Sequence, residues 1–255
     1  MLIGIYVPLI ALAATFAWFK MDNLAAAKNA KRGMRDVMKD NHTWVMSLLY
    51  IGTFGSFIGF GFAFGQVLTV QFKADFDTPI KAAYLTFLGP LLGSLIRPIG
   101  GVLADKIGGA RVTFFNFIAM AAAATLVLVA SLQKSLPLFV TGFVLLFVLS
   151  GLGNGSTYKM IPAIFRAKSR LLQADGADEE TADTEARRLS GALIGLAGAI
   201  GAAGGVLVNL AFRQSFLTYK TGNAAYITFI AFYGICIAVT WFVYLRPSSK
   251  RLVGV

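Results

Sequence analysis

The sequence predicts an all-α fold, a polytopic transmembrane helical bundle. Of its 255 residues, 57% are hydrophobic, and the mean hydropathy is +0.71. Charged residues make up only 14%, against about 25% in a soluble domain, and they gather between long apolar runs. Those runs are continuous and do not alternate apolar with polar, which fits membrane helices and not the strands of a membrane β-barrel.

Seven segments reach the about 20 residues that a helix needs to cross a bilayer. They are roughly 2–19, 44–71, 82–104, 112–133, 137–165, 190–212 and 224–245. A secretory signal peptide carries its positive charge ahead of the apolar core. Here the first basic residue, Lys20, follows the run, so 2–19 reads as a span. Residues 20–43 read as a basic linker. Residues 166–189 mix both signs, with surface-helix character from Asp178-Glu179-Glu180 through Arg187-Arg188.

Loops 20–43, 105–111 and 166–189, with the tail from Arg246, carry 16 Lys and Arg; the loops of the other side carry five. The positive-inside rule places the first set in the cytoplasm. The N-terminus is then outside and the C-terminus cytoplasmic, with Trp44 and Trp241 near span ends as interfacial anchors. The net charge of +11 is thereby assigned to topology and not to a nucleic-acid surface. The single cysteine, Cys236, lies in an apolar run, so an intrachain disulfide is excluded. The single histidine, His42, stands at a helix start. With no metal cluster, no nucleophile–base pair and no cofactor motif in the sequence, an enzyme is not expected.

Of the 23 basic residues, two remain, Arg97 and Lys159, both inside spans. All twelve acids fall in loops or at membrane boundaries. A fixed charge in hydrocarbon costs about 3 kcal/mol on insertion scales. The compensating group has to come from a ligand, another chain or a water-filled path, and an anionic ligand is the simplest of these. The alternative for each cation is snorkelling to the interface. Counted from the predicted span ends at about 1.5 Å per residue, Arg97, Lys159 and Tyr50 lie about 9–11 Å from the cytoplasmic side. Phe54 stands one turn deeper than Tyr50 on the same face, and Gly198 lies at a similar depth. Their shared depth would let these residues ring one cavity, while the rotation of each helix is not set by the sequence.

Two spans are rich in glycine. Gly191, Gly195, Gly198, Gly201 and Gly205 draw a smooth stripe along the sixth, suited to close approach by another helix or by a small substrate. The fifth ends in Gly151-Leu152-Gly153-Asn154-Gly155-Ser156-Thr157-Tyr158-Lys159-Met160-Ile161-Pro162. Glycine and proline weaken a helix. The segment reads as a helix that bends or lines a cavity, or else as a kinked packing helix.

Residue types then point to a family. Gly101-x-x-x-Asp105-Lys106-x-Gly108, with Arg111 beyond, resembles the loop motif of the major facilitator superfamily, in which the aspartate sits against a neighbouring helix terminus and helps latch the cytoplasmic gate. Gly109 and the displaced Arg111 depart from that pattern, which loosens the expected charge network. Three further stretches are similar to the nitrate/nitrite porters of this superfamily. Leu49 through Phe60 resembles their seventh helix. Gly89-Pro90 through Arg97, with Gly100-Gly101 and Gly108 through Thr113, resembles the eighth helix and its loop. Gly198-Ala199-Ile200-Gly201-Ala202-Ala203-Gly204-Gly205 resembles the nitrate signature of the eleventh.

The resemblance implies a C-terminal six-helix half over 44–245 and one preceding helix, equivalent to helix six, over 1–19. Residues 20–43 would be a cytoplasmic linker and 246–255 a cytoplasmic tail. Met1 falls at the start of a span, so the chain reads as a C-terminal fragment whose missing N-terminal half is its partner. The implied setting is a bacterial inner membrane, with lipid around the bundle. By the same resemblance, Arg97 binds nitrate or nitrite, Tyr50 hydrogen-bonds the anion, and Phe54 supplies one wall of an aromatic sandwich. Gly198 and Gly201 let backbone close on the substrate, and Asn154 lies in the familial Gly-x-Gly-Asn-Gly-Ser-Thr stretch. Lys159 is a second anion contact, a coupling group or a snorkelling lysine. The implied activity is alternating-access nitrate/nitrite exchange or proton-coupled uptake. The lack of a carboxylate within the spans favours exchange. Transport of another small anion, or a non-transporting sensor or remnant subunit, are the alternatives.

Overall fold

The computed structural model describes residues 3–21, 30–76 and 78–247. An apolar helix, α1 (Ile3–Lys20), and a short polar one, α2 (Ala30–Val37), precede the bundle. Six helices follow that are long and apolar enough to cross a membrane: α3 (Asn41–Gln71), α4 (Ile80–Ile107), α5 (Gly109–Gln133), α6 (Leu136–Ala174), α7 (Glu179–Tyr219) and α8 (Asn223–Leu245). No strand occurs among the described residues. The protein is thus an all-α, multi-pass membrane protein. The first predicted span is the 18-residue α1, whose Tyr6, Ile10, Phe16 and Trp18 are exposed. Residues 22–29 of the expected linker, and the tail from 248, lie outside the described residues.

The helices outrun the predicted spans. Hydropathy marks where a helix leaves hydrocarbon, but residues such as Ala, Arg, Gln and Glu continue it into water. The predicted loop 166–189 is therefore mostly helix, α6 running to Ala174 and α7 starting at Glu179. Only a short turn separates them, with Gly176 at φ +96°. Asp178 caps α7, its carboxylate accepting the Thr181 N–H at 2.9 Å and the Thr181 hydroxyl at 2.8 Å. Those two donors hold the Asp178 carboxyl below the usual carboxylate range. The predicted 105–111 loop shrinks to one residue, Gly108, whose φ of +96° ends α4 directly before α5; a side chain there would be strained.

Glycine sets the tightest packing. On α4, a Cβ at Gly100 would lie 2.1 Å from the Leu152 carbonyl oxygen; on α6, a Cβ at Gly151 would lie 2.0 Å from that of Gly93, and one at Gly155 2.1 Å from that of Arg97. The backbones of α4 and α6 touch, and side chains would force them apart. The three glycines of 151–155 do not break α6, which is continuous through Pro162. The expected weakening is offset by this helix–helix contact. Behind it, Thr53 and Thr157 hydroxyls meet at 3.2 Å and those of Thr113 and Ser156 at 2.9 Å, tying α6 to α3 and α5. Further along, Phe60, Phe64, Phe139, Phe143, Phe147 and Tyr226 form a buried aromatic core, with Phe64 and Phe143 stacked at 4.9 Å. Outward faces are apolar: Leu95, Ile99 and Val102 on α4 and Val206, Leu207 and Leu210 on α7 are exposed, as a lipid- or protein-covered surface requires.

At the polar end, ion pairs tie the helices together. Asp40 pairs with Lys168, joining α3 to α6. Arg188 of α7 donates to Asp36 of α2 at 2.8 Å and to Glu185 at 2.6 Å, and the two carboxylates push its guanidinium pKa further up. Asp183 accepts from the Ser169 hydroxyl at 2.6 Å, joining α7 to α6. The Arg188 pair holds α2 on the bundle. Arg188→Ala is expected to speed protease cleavage near α2 while changing global stability by no more than about 1 kcal/mol, as exposed ion pairs do. Limited proteolysis beside a thermal melt measures both.

Candidate functional site

The site starts from three helices. In α3, the turn Ile51–Gly55 is π-helical, a local widening often found at functional sites. Phe54 lies in this turn and Tyr50 directly precedes it, their ring centroids 5.3 Å apart. On α4, Ser94, Arg97, Gly101 and Asp105 recur every three or four residues and so share a face. On α6, Asn154, Tyr158 and Lys159 face them. Together these residues line an open cleft of about 620 Å³.

Arg97 sits over two rings. Its Cζ is 4.2 Å from the Phe57 centroid and 5.6 Å from that of Phe54, within the range of cation–π attraction. Its Nε is buried without a hydrogen-bond partner. Among the described residues it belongs to no ion pair. Aromatic faces therefore hold the guanidinium in place without a counter-charge. A planar cation in this setting presents paired donors to a planar oxyanion.

Of the residues singled out in the sequence, the structure brings Arg97, Tyr50, Phe54, Asn154, Lys159, Gly101 and Asp105 to this one cleft. Gly201 backs it: a Cβ there would lie 2.7 Å from Tyr50 Cδ1 and 3.3 Å from Phe54 Cδ1. Gly198 is not among the lining residues and meets nothing within 4 Å. The single glycine stripe thus divides. Gly201 and Gly205 pack on α3, while Gly191, Gly195 and Gly198 face open space. Lys106 and Arg111 are exposed, beyond the lining.

The charge balance read from the sequence holds for Arg97 among the described residues and fails for Lys159. Lys159 Nζ lies 2.7 Å from Asp105 Oδ2. Because α4 continues past the predicted span end, Asp105 remains on the cleft face, within reach of α6. Lys159 is consequently compensated inside its own chain, at the level of Asp105 and not that of Arg97. Asp105 thereby meets a side chain, where the resemblance implied a helix terminus. Phe57 was not anticipated. It follows Phe54 by three residues, a spacing that marks one helix face, but an aromatic at that spacing is equally a core residue.

A family profile described as Major Facilitator Superfamily matches residues 1–173. The chain is 39% identical over 251 residues to the nitrate/nitrite transporter NarU of Salmonella typhimurium, covering 97% of this chain and 53% of that protein. It is 38% identical over 252 residues to NarU of Escherichia coli, covering 97% and 53%. To the probable nitrate/nitrite antiporter NarK2 of Thermus thermophilus it is 32% identical over 251 residues, covering 96% and 51%. The chain spans about half the length of the curated relatives it matches. A bundle of six membrane-length helices, a single glycine turning α4 into α5 after Asp105-Lys106, and a profile match over two thirds of the chain give one assignment: this protein belongs to the major facilitator superfamily.

Proposed function

We propose that this chain forms half of a nitrate/nitrite transporter, contributing Arg97, Tyr50, Phe54 and Asn154 to a central anion site. The supporting observation is Arg97 itself, an arginine without a carboxylate partner among the described residues, set over two aromatic faces in an open cleft. The relatives' names supply the anion. In this reading α1 is helix six, 44–245 is the C-terminal half, and a second half covers the cleft to complete the site. The two halves rock about it, exposing the anion to one side of a bacterial inner membrane and then to the other. The basic loops face the cytoplasm, with the N-terminus of this chain outside and its C-terminus inside. Gly201 lets α7 close on Tyr50 and Phe54, the rings that meet the anion, and the open face at Gly198 leaves room for close approach to the backbone. Asp105, Lys106, Gly108 and Arg111 belong to the gate that closes behind the cargo.

The test is counterflow in proteoliposomes holding this chain together with a complementary N-terminal half. Internal nitrite is expected to drive uptake of external nitrate, with phosphate, formate and small organic acids failing to compete. Competition by one of those anions with no effect of nitrite would reassign the substrate. Absence of any flux from a correctly inserted pair would favour a non-transporting subunit.

A further inference from the structure

Lys159 reaches the cleft in an unusual way. Its stem crosses α4 at Gly101, where a Cβ would lie 3.6 Å from Lys159 Cε and 3.7 Å from Cγ. Gly101 is one turn from Asp105 on one side and one turn from Arg97 on the other, about 6 Å along the axis in each direction. With no side chain at Gly101, the stem rests on a smooth surface. The Lys159–Asp105 pair is also half-exposed, its side chains 45% and 56% accessible, so its net strength is small. Arg97, Gly101, Asp105 and Lys159 line the same cleft, so an anion held at Arg97 offers the ammonium a second partner on the opposite side of Gly101 from Asp105.

We propose that Lys159 is a shared cation, partitioning between Asp105 in the last turn of α4 and an anion bound at Arg97. This rests on the anion site proposed above. Asp105 competes with the cargo for Lys159, so binding of the anion loosens the contact that fastens the end of α4 to α6. Anion occupancy and the gate turn are thereby linked by one side chain. Linkage makes the coupling reciprocal: removing the Asp105 charge, which frees Lys159, strengthens anion binding. The linkage stays modest because an exposed pair can transfer only what it is worth.

The test is nitrate binding to the chain assembled with its complementary half, measured by calorimetry for four proteins: unaltered, Asp105→Asn, Lys159→Gln and the double variant. Asp105→Asn is expected to tighten nitrate binding about fivefold, corresponding to about 1 kcal/mol. In the Lys159→Gln background the same change is expected to alter affinity less than about twofold. Unchanged or weakened binding in Asp105→Asn would overturn the proposal. Equal tightening in both backgrounds would also overturn it, since Asp105 would then act only by repelling the anion. Arg97→Ala, measured alongside, separates the two readings. Loss of binding there with no Asp105 effect sinks the shared cation and leaves the anion site standing. Undiminished binding in Arg97→Ala sinks both.

Discussion

Arg97→Ala is expected to weaken nitrate binding by about thirtyfold or more, equivalent to about 2 kcal/mol or beyond, the usual cost of removing one partner of a desolvated charge pair. The fold should survive the change. Arg97 makes no ion pair among the described residues, and its rings, Phe54 and Phe57, are also packed against the core. The melting temperature is therefore expected to change little, because the half-buried guanidinium loses only its contacts with two rings. Arg97→Lys is the informative companion. It keeps the charge but loses the planar fork, so it should recover part of the affinity and little of the discrimination among anions. Calorimetric titration beside a detergent melt reads both quantities. A variant that melts normally and still binds nitrate with full affinity would remove Arg97 from the site.

Gly155→Ala is expected to be strongly destabilising, as any added methyl at the α4–α6 backbone contact would be. A Cβ at 155 would stand 2.1 Å from the Arg97 carbonyl oxygen and 2.9 Å from the Gly101 nitrogen. Both obstacles are backbone, so no rotamer change relieves the clash and α4 must move away from α6. Overpacking of this kind costs about 3 kcal/mol, which should lower the melting temperature by about 6–12 °C in a protein of this size. The displaced helix carries Arg97, so anion binding should fall with stability. Gly195→Ala is the matched control. It sits in open space and should leave the melt unchanged or slightly raised through better helix propensity. A thermal melt of the two purified variants decides the matter. Equal behaviour would mean that α4 and α6 are not in backbone contact.

Both predictions rest on features that the sequence showed only in part. That Arg97 is charged, sits within a span and lacks a nearby acid in the chain order could be counted. That Phe57 lies beneath it could not, because an aromatic three residues from Phe54 suits a core as well as a binding wall. The two glycine-rich spans looked alike in composition. Their roles differ, since Gly151 and Gly155 meet a neighbouring backbone while Gly191, Gly195 and Gly198 meet none. Spacing along one helix carries no information about what stands across from it. The same limit hid the Lys159–Asp105 pair. Hydropathy placed the two on different footings, one inside a span and one in a loop, yet α4 extends to Ile107 and brings Asp105 to the face of α6.

The sequence by itself determined the membrane class, the apolar runs around which the long helices form and the unusual arginine, because these depend on apolar run length and on charge counts, which are properties of the chain alone. Only the tertiary structure decided which glycines pack and which stay open, where the helices end, and which cation has a partner. Those depend on what two distant segments present to each other, and that is set by packing across the bundle and not by order along the chain.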